Sequence, residues 1–148
     1  MDRRALLSTV GAGAAASLAG CLGGGLTDGG FGFGGLSEDD FDIGMSANAF
    51  LPAEYEIEAG ETVVWGNNSS RGHTVTAYEE AIPEEAAYFA SGEYDDESAA
   101  RGDWHSRGGG NIPPGGTYEH TFSVPGRYDY VCIPHESGGM IGAILVSE

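Results

Sequence analysis

Residues 125–148 read PGRYDYVCIPHESGGMIGAILVSE and contain both a strand pattern and a cluster of metal-binding side chains. After the Pro-Gly turn, alternation places Tyr128, Tyr130 and Cys132 on one face of a strand. The apolar run that begins at Met140 predicts a further strand. The segment from Cys132 to Met140 is therefore predicted to be a loop between two strands, and it carries a thiol, an imidazole (His135) and a thioether.

The chain upstream of this loop has the texture of short strands separated by turns. Apolar residues alternate with polar or small ones at 41–45, 55–57 and 117–122. A β-rich run occupies 62–65, and glycine, asparagine and serine at 66–70 break it. Another run begins at His73. Several short strands in a domain of about 105 residues predict an all-β fold, an antiparallel sandwich or barrel.

Residues 79–111 interrupt this pattern, since they are acidic and rich in glycine. We predict an irregular insert here, with a short helix from Pro83 to Ala90, where proline suits the first turn. A long irregular segment within a small domain is typically functional or disordered.

Charge excludes several classes of partner. The 148 residues include 23 acidic and six basic side chains, the latter all arginine, for a net charge of −17. Such a chain is repelled by nucleic acids and by anionic membrane surfaces. We interpret the composition as halophilic, because molar salt screens the self-repulsion; an acidic protein of ordinary salt is the alternative.

The first forty residues are interpreted as a targeting signal followed by a flexible tether. Arg3-Arg4 followed by a short apolar run predicts a twin-arginine-like signal peptide at 1–20. Leu18-Ala19-Gly20-Cys21 resembles the lipobox of prokaryotic lipoproteins, which predicts a lipidated Cys21; an ordinary signal peptide with a chance cysteine is the alternative. A flexible glycine-rich tether at 21–40 then precedes a domain at 41–148. This organisation predicts a lipid-anchored protein at the extracytoplasmic face of the cell membrane.

The donor atoms favour copper. Soft sulfur ligands combined with imidazole select copper, and two histidines, one cysteine and a weak axial methionine are the blue-copper set. Cys132, His135 and Met140 lack one histidine of that set. The candidates are His73, His105 and His120, of which His73 is favoured because it opens a β-run after a polar turn.

These motifs resemble the plastocyanin family of cupredoxins over residues 41–148. The likeness consists of His73 after the 67–68 Asn-Asn pair, the spacing Cys-x2-His-x4-Met, and the lead-in at 51–68. With the acidic composition and the lipobox, the chain most closely resembles the halocyanins within that family. The resemblance implies a Greek-key β-sandwich, one copper ion cycling between Cu(I) and Cu(II), and ligation by His73, Cys132, His135 and Met140.

The chain departs from the family pattern in two places. Thr74 stands where plastocyanins usually carry asparagine, which leaves open whether a side-chain bond still stiffens the ligand loops. The 79–111 insert also lengthens the segment between His73 and Cys132. Asn67 and Asn68 each begin a glycosylation sequon, although turn formation explains these residues more simply.

The expected role is that of an electron carrier which turns over no substrate. An oxidase or nitrite reductase would need a second copper centre, and four histidines do not supply one. A copper store and a metal-free adhesion domain remain alternatives. We expect a monomer that meets its redox partner proteins, an electron donor and an acceptor, through an apolar patch beside His135, formed by Ile133, Pro134, Gly138 and Gly139.

Overall fold

A computed structural model describes residues 36–148 of the chain. The predicted signal peptide, Cys21 and most of the predicted tether lie outside the described residues. Within the described range the chain forms eight strands, one α-helix and three 3-10 helices. The strands are β1 (Ile43–Met45), β2 (Phe50–Leu51), β3 (Glu54–Glu58), β4 (Glu61–Asn67), β5 (Thr76–Ala77), β6 (Thr117–Phe122), β7 (Gly126–Val131) and β8 (Ile141–Ser147). The helices are α1 (Glu97–Arg107) and the 3-10 helices Glu38–Asp40, Glu79–Ala81 and Ile133–Gly138.

The strands form two sheets of four, in the orders β2-β1-β4-β6 and β3-β8-β7-β5. This is a two-sheet β-sandwich of the cupredoxin type, so the sandwich is confirmed over the barrel. The expectation of purely antiparallel pairing was too simple, because β1 pairs in parallel with β4 and β3 in parallel with β8. Alternation reports which side chains face the core and carries no information about strand direction.

Aromatic side chains fill the space between the sheets. Trp65 is fully buried and packs edge-on against Tyr130 at a ring-centroid distance of 5.4 Å. Tyr128 and Phe122 meet edge-on at 4.9 Å. On β6, Tyr118, His120 and Phe122 turn inward while the alternate residues are exposed, as the period-two pattern predicts.

The 79–111 insert is more ordered than the sequence predicts, and its helix lies elsewhere. Residues 83–90 form no helix, because Phe89 and Ala90 run along β5 and bury their side chains in the core. The helix is instead α1, which begins after Asp96, whose side chain accepts a hydrogen bond from the N–H of Ala99, and ends at Gly108 with φ +73°. Both caps were readable in the sequence.

The predicted tether is described only at its end. Residues 38–40 form a 3-10 helix, and the hydroxyl of Ser37 accepts from the N–H of Asp39. In the described part of the chain, no helix combines the length and the apolar character needed to cross a bilayer.

Candidate metal centre

Cys132 and His135 are placed together by the turn that follows β7. Cys132 is fully buried, and the 3-10 helix that starts at Ile133 carries Pro134 in its first turn. The N–H of His135 donates to the carbonyl of Cys132 at 3.1 Å, which closes the turn. Nδ1 of His135 then lies 3.4 Å from Sγ of Cys132.

His73 reaches the same point on the segment that leads from β4, in one sheet, to β5, which is the neighbour of β7 in the other. Its backbone exchanges two hydrogen bonds with Ile112, at 3.2 and 2.7 Å. Nδ1 of His73 lies 3.5 Å from Sγ of Cys132, and the two imidazole rings are 4.9 Å apart. The ligand atoms of His73, Cys132 and His135 all lie within 4.8 Å of one another. His73 is thus the histidine, among the candidates, that joins the cluster.

Met140 closes the loop. It is fully buried, its carbonyl accepts from the N–H of Cys132 at 3.0 Å, and its own N–H donates to the carbonyl of His135 at 3.2 Å. Gly139, with φ +88°, provides the left-handed turn that reverses the chain before Met140. The loop therefore brings the thioether residue back to the start of the cysteine turn.

The other two histidines serve elsewhere. His105 lies exposed on α1. The ring of His120 stacks on Phe89 at 4.8 Å within the core, and burial lowers its pKa. Neither belongs to the described cluster of ligands.

The loop that carries His73 is held by Asn67, to which the sequence analysis assigned a place in a turn and in the family likeness but no bonding role. Asn67 is fully buried, and its Nδ2 donates to the carbonyls of Arg71 (2.5 Å) and Ile112 (2.9 Å). Its Oδ1 accepts from the N–H (3.0 Å) and the hydroxyl (2.7 Å) of Ser69. That hydroxyl lies 3.0 Å from Nε2 of His73, so Nδ1 is left to face the cluster. Because the amide of Asn67 is buried and fully engaged, its sequon cannot be reached in the folded domain.

Thr74 links the two ligand loops through both its backbone and its side chain. Its N–H donates to Sγ of Cys132 at 3.4 Å. Its hydroxyl accepts from the N–H of Ile133 at 2.8 Å. The threonine therefore retains a side-chain bond between the loops where the family usually carries asparagine.

The protonation states suit a cation. Burial, and after it the charge of His135, lowers the pKa of His73 to about 4. A hydrogen bond to the Ser46 backbone acts in the opposite direction and is outweighed. Burial and then Arg71 lower the pKa of His135, so both imidazoles are neutral at pH 7. Burial raises the pKa of the Cys132 thiol, while N–H donors, Thr74 first, oppose that rise. Two neutral imidazoles and a buried sulfur converging on one point fit a thiophilic metal ion, which itself deprotonates a coordinating thiol.

The predicted docking patch is only partly present. Gly138 and Gly139 are exposed, and Pro134 and His135 are half-buried. Ile133 is 8% exposed, because its side chain turns inward from the 3-10 helix, so it offers little surface to a partner. Ile141, at the start of β8 and 45% exposed, is the apolar side chain that sequence reasoning missed here.

Together, the two-sheet sandwich and a His-Cys-His cluster that is buried at His73 and Cys132 and closed by methionine define a site typical of type 1 copper. Comparison with known proteins agrees. The family model of copper binding proteins of the plastocyanin/azurin family matches residues 38–147. The chain therefore belongs to that family, whose members are blue copper electron carriers and not enzymes.

Individual relatives support this assignment. The chain is 30% identical to the chloroplastic plastocyanin of Tetradesmus obliquus over 125 residues, which are 76% of this chain and 77% of that protein. It is 35% identical to the minor plastocyanin isoform of Arabidopsis thaliana over 111 residues, which are 75% of this chain but only 55% of that protein. A Cu(I) structure of a mutant amicyanin superimposes with a TM-score of 0.54 at 20% identity, covering 76% of this chain and 87% of that one, which supports the fold.

Proposed function

We propose that this protein is a membrane-tethered blue copper protein of the halocyanin type, which carries single electrons between redox partners at the outer face of the cell membrane. The observation that carries the copper part is the convergence of two imidazole nitrogens and the buried sulfur of Cys132 within 4.8 Å. The anchor and the location are supported by the twin-arginine-like start and the lipobox at Cys21.

Each ligand has a distinct role in this proposal. His73 and His135 supply imidazole nitrogens, Cys132 supplies a thiolate, and Met140 supplies a weak axial thioether. A bound copper ion contributes the one-electron couple between Cu(I) and Cu(II). The chain contributes a geometry that changes little between the two states, because each ligand is held by hydrogen bonds within the sandwich.

The exit route for the electron is the ring of His135. His73 is fully buried, whereas His135 is only half-buried and lies beside the exposed glycines 138 and 139. A partner that covers this loop therefore approaches the copper more closely there than over His73. We retain Pro134, Gly138 and Gly139 as the docking patch and leave out Ile133.

The copper site is tested by adding Cu(II) to the full chain in molar salt and recording visible and electron spin resonance spectra. We expect an intense blue band from thiolate-to-copper charge transfer with narrow copper hyperfine splitting. Cys132→Ser, as the control, is expected to lose the blue band. A pale, ordinary tetragonal spectrum from the unmodified chain would contradict the proposal.

The docking patch is tested by electron self-exchange between two copies of the copper-loaded protein. A side chain at Gly138 meets no atom within 4 Å, so Gly138→Asp adds a charge with little effect on the fold. We expect self-exchange to slow about tenfold, because the new carboxylate is desolvated on contact. As a control, Ala59→Asp adds the same charge at an exposed turn between β3 and β4. Equal self-exchange rates in the two variants would contradict the proposed docking patch.

The tether is tested by mass spectrometry of the protein isolated from its native membranes. We expect an acylated N-terminal cysteine at position 21, and expect Cys21→Ala to shift the protein from the membrane fraction to the soluble one. One acyl chain anchors only marginally, so a stable tether requires at least two. An unmodified residue 21 in the mature protein would contradict the anchor and leave the copper site unaffected.

Adaptation to salt is proposed from the net charge of −17. Self-repulsion on this scale is relieved when the screening length falls to about 3 Å at 1 M salt. We expect a higher melting temperature in molar salt than in dilute buffer. Equal values would overturn the halophilic interpretation.

A further inference from the structure

The insert helix α1 is bonded directly to the ligand loop. Nη1 of Arg101 donates to Oε1 of Glu136 at 2.8 Å, and Nη2 donates to Oε2 at 3.2 Å. Glu136 is the residue immediately after His135. The helix α1 therefore bonds to the ligand loop at the residue next to a proposed copper ligand, although Arg101 and Glu136 are 35 positions apart in the chain.

Both partners of this ion pair are themselves held. Nε of Arg101 donates to Glu97 one helical turn earlier, at 2.8 Å, so the guanidinium is oriented before it meets the loop. The hydroxyl of Tyr78, directly after β5, donates to Oε2 of Glu136 at 2.8 Å. The Arg101 guanidinium also lies 5.8 Å from the centre of the Tyr78 ring.

The loop needs such support. The 3-10 helix Ile133–Gly138 is broken at His135, whose φ of −121° and ψ of 19° are not helical. Its regular backbone bonds therefore do not by themselves define the direction of the imidazole. The contact from α1 reaches the loop one residue beyond this break.

We propose that Arg101 and Glu136 are positioning residues whose ion pair, completed by Tyr78, holds the ligand loop against α1 and so sets the orientation of the His135 imidazole at the copper. This inference rests on the copper function proposed above. It assigns a role to the acidic insert that distinguishes this chain from a minimal plastocyanin. The three bonded side chains are referred to below as the brace.

Positioning and simple electrostatics predict different outcomes. If the two charges acted only through their fields, removing the anion would raise the copper reduction potential and removing the cation would lower it. If they act as a brace, either removal loosens the same loop. The two single variants then behave alike, and the double variant is no worse than either one.

The experiment uses the full copper-loaded chain and compares Arg101→Gln, Glu136→Gln and the double variant. Copper release to a chelator, the copper hyperfine splitting and the copper reduction potential are measured. We expect both single variants to release copper about fivefold faster, which corresponds to the free energy of one well-formed ion pair. We also expect both variants to change the hyperfine splitting in the same direction. Arg101→Lys keeps the charge but loses the two-pronged contact, and is expected to fall between the unmodified protein and Arg101→Gln.

The matched control is Arg107→Gln, which breaks the i,i+4 ion pair with Asp103. This pair lies on the same helix and corresponds to the Arg101–Glu97 pair, but it makes no bond to the ligand loop. We expect it to leave release rate and spectrum unchanged. Tyr78→Phe removes one bond to Glu136 without altering any charge, and it serves if Arg101→Gln fails to fold. We expect it to speed release less than the charge variants, in the same direction.

The outcomes separate this inference from the copper function. The brace would be overturned if its variants matched Arg107→Gln in release rate and spectrum. It would also be overturned if the two single variants shifted the reduction potential in opposite directions while the unmodified protein remained blue. An unmodified protein that shows no blue spectrum would overturn the copper function itself.

Discussion

The two histidine ligands are held in contrasting ways. His73 is fully buried, and its loop is fixed by the neutral amide of Asn67, which lies only six positions earlier. His135 lies at the surface, and its loop is fixed by a charged pair whose side chains are 27% (Arg101) and 36% (Glu136) exposed. One side of the site is therefore built from the hydrogen bonds of a buried neutral amide, and the other from a long-range ion pair at the water boundary.

This difference suggests how one site combines rigidity with access. A buried amide with every donor and acceptor satisfied gives a single, stiff arrangement, because any alternative leaves polar groups unpaired. A ligand that must present its edge to a partner cannot be enclosed in the same way. Its loop is braced from the side, by α1, and the face that a partner would cover remains open.

Breaking the buried side is expected to have the largest effect. Asn67→Ala removes the buried amide and its hydrogen bonds to the carbonyls of Arg71 and Ile112 and to the N–H and hydroxyl of Ser69. We expect a loss of about 3 kcal/mol in the free energy of unfolding and much weaker copper binding. Denaturant unfolding and copper titration measure the two effects.

The neighbouring asparagine provides the control. Asn68 is exposed, and Asn68→Ala is expected to change stability by less than about 0.5 kcal/mol. Similar losses in the two variants would mean that the loop is not organised by the buried amide.

The link between the two sides is expected to have an intermediate effect. Thr74→Val removes the hydroxyl that accepts from Ile133 but keeps the N–H that donates to Cys132. We expect a loss of about 1–2 kcal/mol in stability and little change in the position of the blue band. Thr74→Ser, which keeps the hydroxyl, should restore the stability; a large shift of the band in Thr74→Val would contradict the separation of these two bonds.

The two sides are also expected to differ, by a smaller amount, in how the stability cost of a substitution depends on salt. The stability cost of Arg101→Gln is about 1 kcal/mol or less in dilute buffer, because the pair is partly exposed, and it should shrink in molar salt. The cost of Asn67→Ala should be unchanged by salt, since no ionic charge is involved. Unfolding curves at both salt concentrations test this, and a salt-dependent cost at Asn67 would remove the contrast.

The smallest expected effect is on the pH dependence of stability. It concerns His120, which belongs to neither side of the metal site. Burial lowers the pKa of His120 below its ordinary value of 6.5, so the unfolded chain binds a proton before the folded one does. Stability contributed by the neutral ring is therefore complete above pH 6.5 and is lost as the pH falls towards the lowered value. His120→Phe keeps an aromatic ring beside Phe89 and should flatten this part of the pH dependence in the copper-loaded protein. An unchanged slope below pH 6.5 would place the sensitivity in the ligand loops instead.

Sequence reasoning succeeded where the contacts are local. The Cys132–Met140 loop, its flanking strands and the inward face of β6 follow from short-range spacing and alternation. It placed the helix of the insert wrongly, because the proline at 83 suits a helix start while the burial of Phe89 requires an extended chain. The structural roles of Asn67 and Arg101 were missed, because each bonds to a partner, Ile112 or Glu136, that only folding brings near.

The sequence by itself determined the donor set, because thiol, imidazole and thioether lie on one short loop and their chemistry selects the metal. It also determined the net charge and the lipobox-like start, which are properties of composition and of short motifs. Only the tertiary structure decided that His73, 59 positions from Cys132, joins the cluster, and that α1 grips the loop at Glu136. Local spacing limits where a side chain can lie over a few residues, whereas long-range neighbours are chosen by how the two sheets pack and by which buried polar groups must find partners.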